Sequence, residues 1–170
     1  MMMKWIGAAL VVVGCGGTGF SMVAAHKREE KEIRQLMSAL DYMQCELQYR
    51  MTPLPDLCRQ TAVQSAGGIR SLFLHLATEL EDQVSPDVSR CMNAAVSKTS
   101  VLTDSTAALA TNLGKTLGRF DLEGQLRGLE QSRSECRRVL DKLTQNQETR
   151  LRSYQTLGLC AGAALAILFL

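Results

Sequence analysis

Aromatic residues are scarce, 5% of the chain, and only 3 prolines occur in 170 residues. Sandwiches and barrels draw on aromatic and β-branched side chains, so so few rings argue against them, and so little proline leaves room for long helices. No Asn-Gly or Asp-Gly pair stands between alternating stretches, so no tight hairpin is signalled. Charge of one sign is also lacking: 19 basic residues face 17 acidic ones for a net +2. That balance excludes a strongly basic nucleic-acid surface, and no nucleic-acid partner is expected. There is no CxxC, no HExxH and no Cys/His cluster at metal spacing, so no metal or other cofactor is expected. The six cysteines, Cys15, Cys45, Cys58, Cys91, Cys136 and Cys160, stand far apart in sequence. A disulfide framework is rejected, and the four central ones are read as small buried hydrophobes.

The most informative absence is of charge at the two ends. Nothing charged occurs from Trp5 to Ala25 or from Ser153 to Leu170, while every acidic residue lies between Glu29 and Glu148. The first stretch, about 21 residues, spans roughly 32 Å as a helix, close to a bilayer core. A cleaved signal peptide ending near Met22-Val23-Ala24-Ala25 and a lipoprotein signal at Cys15 compete with it and fit less well. Gly7, Gly14, Gly16, Gly17 and Gly19 argue against a buried helix in water. The second stretch, about 18 residues and 27 Å as a helix, closes on Ala166-Ile167-Leu168-Phe169-Leu170 and reads as a tail anchor, with Arg152 and Tyr154 at the interface. The sequence thus divides into an N-terminal transmembrane helix (residues 1–25), a helical domain (26–153) and a C-terminal transmembrane helix (154–170). Lys27, Arg28, Lys31 and Arg34 follow the first span, against Lys4 before it, and Lys142, Arg150 and Arg152 precede the second. Both flanks predict a cytoplasmic middle domain between two passes through the lipid bilayer.

Within the middle, apolar residues recur at helical spacing. Ile33, Leu36, Met37, Leu40, Met43 and Leu47 predict a first helix over about 27–50. Thr52-Pro53 predicts a cap and first helical position for a second helix bearing Leu54, Leu57, Cys58, Thr61 and Ala62, closed by Gly67-Gly68. Ile69, Leu72, Phe73, Leu76 and Leu80 give a third helix. Ser85-Pro86 starts a fourth with Val88, Cys91, Met92 and Ala95 inward. A fifth begins near Thr103 or Asp104, carries Ala107, Leu109, Leu113 and Leu117, and ends at Gly118. Asp121 caps a sixth. There Leu122, Leu126, Leu129, Arg133, Cys136, Leu140 and Leu143 alternate spacings of four and three, a heptad seam with one polar slot that runs on toward the second span. The predicted fold is all-α, an antiparallel bundle of about six helices flanked by the two membrane helices.

Catalytic constellations do not emerge. His75 with Glu79 one turn on is the best candidate for acid–base work, and a half-buried histidine hydrogen-bonded by that glutamate is the simpler reading. Gly14 to Gly19 resembles a phosphate loop only superficially, since it lacks the lysine and lies in an apolar span. Glu79, Glu81 and Asp82 read as a solvated turn, and Arg133, Arg137 and Arg138 as a solvated basic face. Nothing here suggests an enzyme.

Ile33-Arg34-Gln35-Leu36, Leu40, Glu46-Leu47, Tyr49 and Thr52-Pro53-Leu54 together resemble the first helix and turn of the stage III sporulation protein AB family. The opening Lys4-Trp5-Ile6-Gly7-Ala8-Ala9-Leu10, the Leu117-Gly118 to Asp121 turn and Leu157-Gly158 before the apolar tail are similar to it as well. The resemblance implies a protein of the mother-cell membrane in an endospore-forming bacterium, with its soluble domain in the mother-cell cytoplasm. It implies a place in the channel-like complex joining mother cell and forespore, and a fold similar to the F-type helical domain of platform proteins in type II secretion and type IV pilus machines. The implied partners are the companion secretion-type ATPase, stage III sporulation protein AA, and other membrane components of that complex. The matching residues Arg34, Glu46, Tyr49, Thr52, Pro53, Leu54 and Asp121 are the candidate partner-binding set. The expected function is a non-enzymatic adaptor that couples the ATPase to the membrane assembly. The alternative is a membrane-anchored signalling or sensor protein dimerising through its last helix.

Overall fold

Each helix of this chain is set by where its first N–H groups and last carbonyls find partners, and several boundaries fall one or two residues from where the sequence put them. A computed structural model describes the backbone of residues 2–82, 87–118 and 121–169, and the side chains of residues 25–82, 87–118 and 121–145. Among the described residues there are six helices and no strand: α1 (Met2–Arg50), α2 (Leu54–Gln64), α3 (Gly67–Glu81), α4 (Val88–Lys98), α5 (Asp104–Thr116) and α6 (Leu122–Phe169). Helical backbone therefore continues through both apolar ends. Their side chains, with Cys15, Cys160, Arg150, Arg152 and Tyr154, lie outside the described set, as does the Ser85-Pro86 start. Among the described residues no helix is long and apolar enough to cross a membrane.

Helix starts correct the expected caps. Pro53, not Thr52, is the N-cap of α2: its extended backbone (ψ 145°) delays the helix by a residue, and its carbonyl accepts from Leu57 N at 2.9 Å. Pro55 then sits in the first turn, where a missing N–H costs nothing. Asp87 caps α4, its carboxylate accepting from Ser89 N at 3.1 Å. Asp121 caps α6 as expected, accepting from Gly124 N at 3.1 Å. The Gly67-Gly68 pair opens α3 rather than closing α2, which already ends at Gln64 with an extended Ser65. Gly67 has φ +57°, a conformation that only glycine adopts without strain, and it makes the reversal between the two helices. Gly118 ends α5 as expected, with φ +73°.

The predicted apolar positions do form one core. Ile33, Leu36, Leu40 and Met43 of α1 are buried with Leu57 and Cys58 of α2, Ile69, Leu72, Phe73 and Leu76 of α3, Met92 of α4 and Leu113 of α5. Burying each large side chain contributes about 1.5–3 kcal/mol, and that burial holds helices too short to stand alone in water. The seam of α6 closes against the same core from its second member on: Leu129, Cys136 and Leu140 are buried, Leu126 and Leu143 partly so, while Leu122 in its first turn is exposed. Its polar slot, Arg133, reaches Asp41 of α1 at 2.7 Å. Cys58, Cys91 and Cys136 are buried as read, but Cys45 is exposed, because it lies two residues from both Met43 and Leu47 and so on the opposite face of α1.

Contacts at the helix ends fix the direction of packing. A methyl built on Gly118, just before α6, would lie 3.6 Å from Leu54 at the start of α2. At the opposite end Arg28 of α1 donates to the Val101 carbonyl between α4 and α5, and Gly68 stands against Leu102. Successive helices therefore alternate in direction, as the short connections predict. As a result the last described side chains of both terminal helices, near Lys27 of α1 and Lys142 of α6, lie at the end that carries Arg28, Val101 and Ser105. We call it the stem end, and the one that carries Leu54 and Gly118 the far end.

Candidate partner-binding face

The far end gathers most of the residues singled out in the sequence. Tyr49 lies in the last turn of α1, Thr52 and Pro53 in the link to α2, Leu54 at its first turn, and Asp121 at the start of α6. Glu46 stands one turn before Tyr49. Arg34 does not join them: it sits toward the stem end, paired with Glu30 at 2.8 Å.

Local chemistry makes this end unusual. The link begins at Met51, which takes φ 51° although it is not glycine. A left-handed residue with a Cβ costs roughly 1–2 kcal/mol, yet it ends α1 where a glycine ordinarily would. The strained residue also turns its apolar side chain into solvent, 72% exposed, beside Tyr49 at 77%. Leu122, across the bundle end on α6, is 36% exposed. Val63 and Val101 are exposed toward the stem end as well, so what sets the far end apart is an exposed apolar pair that includes a residue held in the left-handed region. Leu54 is different: it is half-buried and serves the core, as does the Pro53 carbonyl.

Glu46 adds a polar feature at the edge of this face. Its Oε1 lies 3.5 Å from Arg50 Nη1, while Oε2 is buried with no hydrogen-bond partner. Tyr42, one turn back, donates to Gln60 Oε1 at 3.3 Å. Burial, and then the negative Glu46 carboxylate, raise the Tyr42 phenol above its usual range, with Arg50 opposing. An unsatisfied buried acceptor costs about 1–3 kcal/mol, and Tyr42, whose phenol is raised partly by a hydrogen bond to Glu46, is the nearest group that offsets it.

The catalytic candidate is corrected here. His75 Nδ1 meets Thr99 Oγ1 at 3.0 Å, and Glu79 pairs with Lys98 instead. The i,i+4 pairing fails because Glu79 faces inward toward α4; it is buried rather than part of a solvated turn. Neither Thr99 nor Lys98 could be assigned to these partners from spacing, since they come from a different helix. Met51 was also missed, there being no sequence signal for a methionine where glycine is the expected stop.

The whole chain compares with known proteins in the same direction. The sequence profile of the family described as stage III sporulation protein AB matches residues 4–170. A relative from Bacillus subtilis (strain 168), named Stage III sporulation protein AB, is 28% identical over 172 residues, covering 99% of this chain and 100% of its own length. A solved structure of a protein of the same name superposes with a TM-score of 0.63 at 25% identity, covering 72% of this chain and 98% of its own.

Proposed function

The chain belongs to the stage III sporulation protein AB family, which gives it a role in sporulation, and we propose that within that role it is a non-enzymatic membrane adaptor. In this reading residues 1–25 and 154–170 cross the mother-cell membrane around the forespore, and the six-helix domain stands in the mother-cell cytoplasm. Its far end docks the companion secretion-type ATPase, stage III sporulation protein AA, and its membrane helices meet the other components of the channel complex.

The observation that carries the reading is the antiparallel pairing of α1 with α6. Because they are antiparallel, the described parts of α1 and α6 join the two apolar segments at one end of the bundle, as a domain standing on a single membrane face requires. The opposite end is then the one a cytoplasmic ATPase reaches first, and it is where Tyr49 and Met51 are exposed. Dimerisation through α6 is less well supported, because Leu129, Cys136 and Leu140 are already buried inside the chain. The test is co-purification: full-length chain solubilised from membranes of sporulating cells should bring the ATPase with it, in amounts that fall when Tyr49 and Met51 are replaced. Absence of the ATPase from the parent preparation under conditions that keep both proteins folded would sink the reading.

A further inference from the structure

At the stem end, α1 and the turn between α2 and α3 enclose an open groove of about 590 Å³. Lys27, Lys31 and Arg34 line its α1 wall, with Gln35 below them and Ser65 opposite. Spacings of four and three put the three cations on one face of the helix. Glu30 is the single carboxylate among the lining residues, and Arg34 holds it through Nη2 at 2.8 Å and Nε at 3.0 Å. Lys27 and Lys31 are exposed, and neither meets a carboxylate among the described residues. The groove therefore keeps two uncompensated positive charges, flanked by the Gln35 and Gln64 amides and the exposed Ser38 hydroxyl, while the Ser65 hydroxyl is spent on the Thr61 carbonyl at 2.8 Å.

We propose that this groove takes the phosphate headgroup of an anionic lipid, so that the domain is seated on the bilayer surface as well as tethered to it. The inference rests on the reading that residues 1–25 cross the membrane, because Lys27 then emerges at headgroup level. A flat basic flank attracts an anionic leaflet diffusely. A concave wall with two free ammonium groups instead offers one phosphate several donors at once. Inorganic phosphate shares that chemistry but not the position, since in the membrane reading Lys27, which lines the groove, follows the first span directly.

Native mass spectrometry of the full-length chain in detergent micelles tests this with phosphatidylglycerol and phosphatidylcholine as probes. The parent should retain phosphatidylglycerol over phosphatidylcholine by about thirtyfold, given the contribution of each of the two free lysines near an anionic surface. Ser38→Glu places a carboxylate in the groove, leaves every basic residue of the flank in place and should abolish the preference. Lys27→Gln with Lys31→Gln should abolish it too, which keeps the test decisive if Ser38→Glu fails to fold by circular dichroism. Arg138→Gln with Lys142→Gln, on α6, should leave it intact. Equal loss in the α1 and α6 variants would mean diffuse attraction and overturn the groove. Displacement of phosphatidylglycerol by equimolar inorganic phosphate would overturn the lipid assignment. A parent released from membranes by alkaline carbonate overturns the membrane reading and this inference with it, whereas an integral parent without lipid preference overturns the inference alone.

Discussion

Glu32 on α1 accepts two hydrogen bonds from Thr103, at the start of α5 and 71 residues away: from its backbone N–H at 2.9 Å and its hydroxyl at 3.0 Å. The carboxylate thus does for α5 what a local capping-box glutamate does for its own helix. Arg28 pairs with the other carboxylate oxygen at 3.2 Å, so the buried charge is compensated. Glu32→Ala should therefore destabilise the folded chain by about 1–3 kcal/mol, and Thr103→Ala by less, since the backbone N–H remains. A double-mutant cycle in urea should show coupling between the two. Additive effects would mean that the pair contributes nothing beyond its parts.

Two glycines hold helices at closer range than any side chain allows. A Cβ on Gly114 would fall 2.5 Å from Met92 Cβ, and one on Gly118 would fall 2.5 Å from Val88 Cγ2 at a backbone φ of +73°. Gly114→Ala should cost about 1–3 kcal/mol through overpacking between α4 and α5. Gly118→Ala should cost at least as much, because strain adds to the clash. Thermal unfolding reads both, and an unchanged midpoint for Gly114→Ala would place α4 farther from α5 than described.

Caps give a sharper contrast. Asp121 bonds the Gly124 N–H while Thr52 makes no capping bond to α2. Asp121→Ala should lower stability by about 1 kcal/mol. Thr52→Ala should change it by no more than about 0.5 kcal/mol. A larger loss for Thr52→Ala would restore the cap that the sequence suggests.

That contrast also shows what the sequence conveyed. The inward stripe from Ile33 to Leu47 and the α6 seam were legible, because burial repeats every three or four residues and leaves a period. The turns were legible only as turns. In Thr52-Pro53-Leu54-Pro55 two prolines compete for the start of α2, and backbone geometry decides between them. Glu32, Glu79 and Arg133 were out of reach for another reason: their partners Thr103, Lys98 and Asp41 belong to other helices, and no local spacing encodes such a pair. Of the candidate set, Tyr49, Thr52, Pro53, Leu54 and Asp121 come together because they sit at alternate ends of antiparallel helices. Arg34 is separated from them by about four turns of α1.

Cysteine chemistry should report both packing and topology. Burial pushes the Cys58 thiol up to about 12 and, with help from the nearby Glu135 carboxylate, the Cys136 thiol up to about 11. At pH 8 both stay protonated and poorly nucleophilic, whereas Cys45 is exposed. In a chain carrying Cys15→Ser and Cys160→Ser, a maleimide should modify Cys45 first and the buried thiols only on unfolding. On intact cells a membrane-impermeant maleimide should leave Cys45 unmodified until the cells are opened. Labelling before opening would place the domain on the wrong side of the membrane.

The central claim is that the far end is a contact surface for the ATPase rather than an element of the fold, and Met51→Gly combined with Tyr49→Ser separates the two. Glycine relieves the left-handed strain at position 51, so the folded chain should keep its thermal midpoint or gain a degree or two. Loss of both apolar side chains should weaken binding of the ATPase to full-length chain in lipid nanodiscs by at least tenfold, as expected when contact residues are truncated. Val101→Asp, at the stem end, should leave the affinity within about twofold, a difference well under 1 kcal/mol. A Tyr49 and Met51 double variant that binds the ATPase as tightly as the parent would contradict the account.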